Sequence, residues 1–339
     1  MAFFQIPGIE IKDVAAAVPT NSVDNMDLEC LGYTDRMNFV QKIGIRNRRV
    51  APSNLCASDL CIAATQHLFK LRGYHQDDFG ALIFVTQTPD YLLPGNCTFV
   101  QNRLGLSNST YMLDINQGCA GYVYGLATLA GVLYSTGIER GLLLVGDTVT
   151  RILAQSDNTT VPIFSDAGSA TVLERSANGN VMYFNLGADG TGTNVIRVEH
   201  GGSRNPVDKN QGAPYLSMKG IDVLNYSIRH VIPNISQLLD LSGYDKDHVD
   251  YFVFHQANRI LNECLYKKLG ISSEKAPETL GVFGNTSCAT IPLTINHCIG
   301  KYLETSTVKL VLSGFGVGFS WGSALIELGP VHCPDIVEI

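Results

Sequence analysis

No block of basic residues runs through this 339-residue chain: 24 Lys and Arg stand against 31 Asp and Glu, for a net charge of −7. Neutralising a phosphate backbone requires a clustered excess of Lys and Arg, so broad nucleic-acid binding is excluded as an expectation. No apolar run approaches the roughly 20 residues of a membrane span. The first eighteen residues carry Glu10, Lys12 and Asp13 and lack an uninterrupted apolar stretch, which argues against a signal peptide and for a cytoplasmic protein. Cysteine is present nine times, but scattered and without a C-x-x-C pair, as expected in a reducing compartment. Most of these cysteines should be small buried hydrophobes, with one or two left for chemistry. Charged residues reach only 16%, too few for a solvated helical bundle or a disordered chain.

What is present is apolar residues, at 45%, and 33 glycines. That combination suits buried strands and tight turns in one compact body. A duplication runs through it. Phe69 to Phe84 resembles Leu239 to Phe254, with Gly73 and Gly243 standing 170 residues apart, and both segments read as a helix end, a Gly turn and an apolar strand. Leu142–Gly146 lies over Leu312–Gly316 at the same spacing, and Gly168–Leu173 echoes Gly322–Glu327. Two copies of one αβ unit are therefore expected, an N-terminal half over 1–175 and a C-terminal half over 176–339. Strands alternate with helices in each, which predicts α/β layering with mostly parallel strands. Ala81–Gln87, Tyr111–Asn116 and Tyr251–His255 read as strands. Ala120–Thr136 and Ile291–Leu303 read as buried helices, and Ile221–Leu239 as an amphipathic one.

Three residues stand where chemistry could sit. Cys119 follows a strand and opens the buried Ala120–Thr136 helix between Gly118, Ala120 and Gly121. Small neighbours permit a sharp turn and close approach of a substrate, and a helix N-terminus favours a thiolate. His255 ends the strand that begins at Tyr251, the position where open α/β sheets place polar site residues. A hydrogen-bonded structural histidine is the plain alternative. Asn285, in Gly284-Asn-Thr-Ser-Cys-Ala-Thr, could be only a turn residue or N-cap. Shifted by 170, however, its turn falls beside Cys119, so each half offers a helix entrance to a shared centre.

Four ordered motifs, Gly-Cys-Ala-Gly at 118–121, His-Gln-Ala-Asn at 255–258, Gly-Asn-Thr-Ser at 284–287 and Gly-Phe-Gly-Val-Gly-Phe-Ser-Trp-Gly-Ser-Ala at 314–324, together resemble a ketoacyl-carrier-protein synthase III. The likeness runs from about Phe39 to Leu328. It implies the five-layer αβαβα thiolase fold and a condensing acyltransferase of fatty acid or related biosynthesis. Cys119 would take an acyl group as a thioester. His255, neutral, and Asn285 would donate hydrogen bonds to the malonyl thioester oxygen as carbon dioxide leaves, giving a 3-oxoacyl thioester. The Cys119 backbone N–H and one from Gly316, Val317 or Gly318 would form a second oxyanion site. Acyl-CoA or acyl carrier protein phosphopantetheine thioesters would be substrates, with no permanently bound cofactor and no metal. A homodimer is implied, with Leu93, before Pro94, presented to the partner's acyl pocket. Lys42, Gln256, Arg259, Lys267 and Lys268 are candidate contacts to the carrier protein or its pantetheine arm, although Arg259, Glu263 and Lys267 at i, i+4 spacing could simply pair along a solvated face.

Two positions depart from the family pattern. Asn38 stands where the family often has a Trp that stacks on the adenine of coenzyme A, and the Arg that accompanies it is replaced near Asn158. This favours a primer delivered on a protein, or an unusual primer. It also keeps open a specialised member that transfers acyl groups to another acceptor, giving an ester, amide, quinolone or polyketide. A cysteine protease shares the order Cys, His, Asn but not the Gly-Ser-Cys-Trp surroundings or the duplication. Among sister condensing enzymes, one type needs a Glu base for aldol chemistry and chain-elongating classes use a second His; Asn285 in Gly-Asn-Thr-Ser favours the decarboxylating third class.

Overall fold

Two mixed β-sheets form the frame of the computed structural model, which describes residues 2–29, 31–177, 179–207 and 214–339. One sheet has six strands in the order Val337–Glu338, Ile9–Val18, Ala167–Arg175, Arg140–Asp147, Ala81–Val85 and Tyr111–Ile115. The other has five, in the order Ala2–Ile6, Met182–Ala188, Ser320–Leu328, Val308–Gly316 and Tyr251–Phe254. Each sheet thus takes one strand from the far end of the chain: Ala2–Ile6 pairs with Met182–Ala188, and Val337–Glu338 with Ile9–Val18.

The sheets are less parallel than the alternating pattern suggested. Ala81–Val85 runs parallel to both of its neighbours, with a helix carrying each crossover, but Val308–Gly316 and Ser320–Leu328 are antiparallel because only the short turn Val317–Phe319 joins them. A tight connection can join only antiparallel neighbours.

Between the sheets lies a layer of largely apolar helices. Gly121–Thr136 buries Tyr122, Leu126, Leu129 and Leu133 completely, and its residues share one core with strands of both sheets. Removing each such Leu from water stabilises the fold by roughly 1.5–3 kcal/mol. The helix ends at Gly137, in the left-handed region (φ 80°). Its counterpart, expected over Ile291–Leu303, is there but not uniform. An α-helical stretch Thr290–Thr294 passes into a π turn at Ile295–Ile299 and resumes over Gly300–Leu303. Asn296, within the π turn, donates to the Val14 and Pro334 carbonyls, tying the helix to the six-stranded sheet. Ala57–Arg72 and Asn96–Leu104 cover the outer face of the six-stranded sheet. Gly220–Ser242 and Arg259–Leu269 cover that of the five-stranded one. The result is five layers, αβαβα.

Of the nine cysteines, Cys61, Cys97, Cys119, Cys288 and Cys333 are buried, Cys56 and Cys264 half-buried and Cys298 exposed; Cys30 lies outside the described residues. Among the described residues, no helix is long and apolar enough to cross a membrane.

Candidate functional site

Cys119 sits in a single 3-10 turn, Gly118–Ala120, between the strand Tyr111–Ile115 and the central helix. Two glycines make room for it. Gly118 holds φ at 54°, and a Cβ there would come within 2.9 Å of Val317 Cβ. A Cβ on Gly316 would lie 2.9 Å from Cys119 Cβ and 3.0 Å from its sulfur. Backbone N–H groups of Val317 and of Cys119 itself point at the sulfur and favour the thiolate, but burial outweighs them and pushes the thiol up to about 12. The lowering expected from the helix end is not what the structure shows: desolvation raises the thiol. Among the three oxyanion-loop residues, Gly316 and Val317 close on Cys119, while Gly318 faces Ser320.

His255 follows Tyr251–Phe254, its N–H bonded to the Ser313 carbonyl at 2.7 Å and its ring edge-on to Phe315. Burial pulls the imidazole down to about 3, so the ring is neutral. Thr290 Oγ1 lies 2.8 Å from Nδ1 and 3.0 Å from the Ser287 carbonyl. One hydroxyl proton cannot serve both, so the choice Thr290 makes fixes which ring nitrogen carries hydrogen.

Asn285 is buried in the turn before Thr290–Thr294, and its backbone pairs with Ile163 and Ser165. The Ser287 N–H donates to Asn285 Oδ1 at 2.9 Å, which settles the amide's orientation. Nδ2 then has one proton near the Ala257 carbonyl, at 3.3 Å, and one to spare.

Ser287 links all three. It has φ 55°, a left-handed conformation rare outside glycine, and its Oγ is 3.8 Å from Cys119 Sγ. Its N–H holds Asn285, and its carbonyl lies 3.0 Å from the Thr290 hydroxyl that also faces His255 Nδ1. Sequence reading missed Ser287, Thr290 and their supports Gln87 and Asp147. The signal was available: Asn116-Gln-Gly-Cys-Ala and Asn285-Thr-Ser-Cys-Ala match at a spacing of 169, one less than the spacing taken from the flanking segments.

The remaining candidates lie further out. Gln256 is buried with Nε2 on the Phe254 carbonyl and Oε1 receiving the Thr279 N–H, so it braces the loop and is withdrawn as a surface contact. Arg259 pairs with Glu278 at 2.8 Å rather than with Glu263, and packs over Gly44, tying Arg259–Leu269 to the helix Tyr33–Ile43. Lys267 pairs with Glu263 at 2.6 Å, as the helical spacing allowed. Lys42, Lys268 and Asn38 are exposed, and Leu93 is 86% exposed.

Comparison with known proteins matches residues 113–190 to the family model described as 3-Oxoacyl-[acyl-carrier-protein (ACP)] synthase III, and residues 239–328 to its C-terminal counterpart. The chain is 31% identical to the beta-ketoacyl-[acyl-carrier-protein] synthase III of Neisseria meningitidis serogroup A over 94% of this chain and 98% of that one. It is 30% identical to the enzyme of the same name from Streptococcus mutans, over 94% and 99%. Among solved structures, a 3-oxoacyl-(acyl-carrier protein) synthase from Burkholderia xenovorans superposes with a TM-score of 0.95 at 37% identity, covering 100% of this chain and 99% of that one.

Proposed function

The chain belongs to the 3-oxoacyl-[acyl-carrier-protein] synthase III family, and from that premise we propose that it is a condensing acyltransferase joining a Cys119-bound acyl group to a malonyl thioester on acyl carrier protein. The single observation that carries the reading is the convergence on Ser287, which ties a buried thiol, a neutral imidazole and an oriented carboxamide to one turn.

Cys119 sulfur attacks the acyl thioester and expels the carrier thiol, which keeps the proton the cysteine gives up. The Cys119 and Val317 N–H groups receive the developing oxyanion. In the second half-reaction the malonyl carboxylate leaves as carbon dioxide, and its electron pair becomes an enolate. His255 Nε2–H and the spare Asn285 Nδ2–H stabilise the enolate oxygen; this requires Thr290 to turn its one proton to Nδ1, 2.8 Å away, and not to the Ser287 carbonyl. The enolate carbon then attacks the acyl-enzyme and Cys119 departs as thiolate, giving a 3-oxoacyl thioester. The electron sink is the thioester carbonyl, so the reading calls for no permanently bound cofactor.

The duplication units are the halves 1–175 and 176–339, each lending a terminal strand to the other's sheet. A homodimer in the cytoplasm is part of the same proposal. Its support is the outer strand Tyr111–Ile115, which leaves Tyr111, Met112 and Leu113 36–42% exposed beside Tyr91, Leu92 and Leu93. That apolar edge is suited to a second copy, with Leu93 reaching the partner's acyl pocket. A monomer by light scattering at micromolar concentration, still active, would count against it. Lys42, Lys268, Lys267 and Arg259 offer the basic surface for an acidic carrier protein. Lys268→Glu should weaken use of carrier-borne malonyl and spare small pantetheine thioesters.

A second reading, transfer to a different acceptor in specialised metabolism, is favoured by one observation. Asn38 is exposed on Tyr33–Ile43 and offers no aromatic surface for adenine. Intact-protein mass spectrometry of Cys119 after incubation with a panel of acyl-CoA and acyl-carrier thioesters tests both. Acylation followed by malonyl-dependent release of a 3-oxoacyl product supports the condensing reading. Acylation with release only to an amine or alcohol supports the other.

A further inference from the structure

The side-chain partner of Cys119 Sγ is Ser287 Oγ, at 3.8 Å. The direction of that contact follows from the chain of groups behind it. Asp147, fully buried at the end of Arg140–Asp147, accepts from Thr86 Oγ1 at 2.9 Å, from the Gln87 N–H at 2.7 Å and from Cys288 Sγ at 3.1 Å. A carboxylate only accepts, so the Gln87 side chain must turn its amide nitrogen toward it, 3.2 Å from Oδ2. The second proton of that nitrogen goes to Ser287 Oγ, 2.8 Å away. Having accepted there, Ser287 keeps its own hydrogen for the next acceptor in reach, which is the Cys119 sulfur. Gln87 Oε1 faces Gly118, where a Cβ would stand 3.2 Å from it, so the amide cannot reverse without losing the Asp147 contact.

We propose that Ser287 is a positioning residue that donates its hydroxyl proton to the Cys119 thiolate, and that Gln87 and Asp147 act through it by fixing which way that proton points. This rests on Cys119 being the nucleophile. It adds a side-chain donor to the backbone N–H groups of Cys119 and Val317. It also gives a reason for a non-glycine at φ 55°, since glycine would suit the backbone better and supply no hydroxyl.

Other titratable groups packed around this entrance do not replace the donor. His255, from the end of Tyr251–Phe254, is held neutral by burial. Cys288, from the facing turn, has its thiol pushed up by burial and by Asp147. Asp147 itself opposes a thiolate at Cys119. Its charge and its orienting role therefore act in opposite directions, and the test is made on Ser287 and Gln87.

The experiment measures the rate of iodoacetamide alkylation of Cys119 against pH, by peptide mass spectrometry, in wild type, Ser287→Gly, Gln87→Met and the double variant. Ser287→Gly relieves the left-handed backbone, so folding is retained and only the hydroxyl is lost; Ser287→Ala repeats the measurement with the Cβ kept. A hydrogen bond to a charged sulfur is lost, so alkylation at a fixed pH should slow roughly tenfold, the equivalent of about one pH unit. Gln87→Met should slow it less, and the double variant no more than Ser287→Gly alone, because both act on one proton. Unchanged rates across the pH range in Ser287→Gly and Ser287→Ala, or multiplicative slowing in the double variant, overturn the inference. Failure of the wild-type enzyme to form an acyl-Cys119 species would instead overturn the assignment of the nucleophile, and the alkylation profile keeps the two outcomes apart.

Discussion

Asn116-Gln-Gly-Cys-Ala-Gly121 and Asn285-Thr-Ser-Cys-Ala-Thr290 are folded alike and meet in the central layer, where Ser287 Oγ lies 3.8 Å from Cys119 Sγ. Each has a left-handed residue, Gly118 with φ 54° or Ser287 with φ 55°, then a 3-10 turn and a buried helix. Each carries a cysteine at the same step. Cys119 faces the Gly316–Gly318 loop and its backbone N–H groups, whereas Cys288 faces the Asp147 carboxylate. Asn285 is buried and oriented; Asn116 is exposed. The lesson is that the turn supplies access to a helix end but not reactivity. Reactivity depends on whether donors or a carboxylate stand opposite the sulfur, and that is decided by the strand ends of the other elements.

The largest expected effect separates the two cysteines. Cys119→Ala abolishes acyl-enzyme formation in intact-protein mass spectra, while Cys288→Ala retains it; acylation that survives Cys119→Ala and is lost in Cys288→Ala would reverse the comparison. Next come the asparagines. Asn285→Ala should lower carbon dioxide release from malonyl thioester by about 10² to 10³, the usual cost of one preorganised donor. Asn116→Ala, on the surface, should stay within about twofold. The two left-handed residues also differ in stability. Gly118→Ala meets Val317 and a strained φ and should lower stability by about 1–3 kcal/mol in urea melts, whereas Ser287→Gly should not lower it.

The smallest effect is a pH dependence. His255 is pulled from 6.5 to about 3 on folding, so between those values the unfolded chain binds the extra proton and His255 disfavours folding as pH falls. Asp166, pushed up to about 6 by burial, acts with the opposite sign, because the folded state is then the one that holds a proton. Comparing wild type with His255→Gln isolates the histidine: urea midpoints should fall more steeply from pH 7 to pH 5 in wild type than in the variant. Equal slopes would mean the ring is not held neutral.

The layers and the three central residues were legible because they rest on local signals. A helix without charges can only be buried, as Gly121–Thr136 is, and a polar residue at a strand end, such as His255, stands out against the apolar run before it. The mixed strand directions were less visible, since they depend on connection length at Val317–Phe319 rather than on strand composition. Ser287 and Thr290 were passed over because short hydroxyl residues in a turn look alike whatever they do. The meaning of Ser287 lies in Gln87, 200 positions earlier in the chain. Gln256 failed as a surface contact for the converse reason: its neighbours in sequence are a site motif, but its amide is spent on Phe254 and Thr279.

The central claim assigns the sulfur chemistry to one entrance and the enolate chemistry to His255 with the other. It is tested most directly by measuring Cys119 acylation and malonyl decarboxylation separately in His255→Ala. The account predicts an acyl-Cys119 species formed at close to the wild-type rate, with carbon dioxide release reduced by about 10² to 10³. Loss of acylation with decarboxylation intact would contradict it, making His255 the base for the thiol and not a donor to the malonyl oxygen.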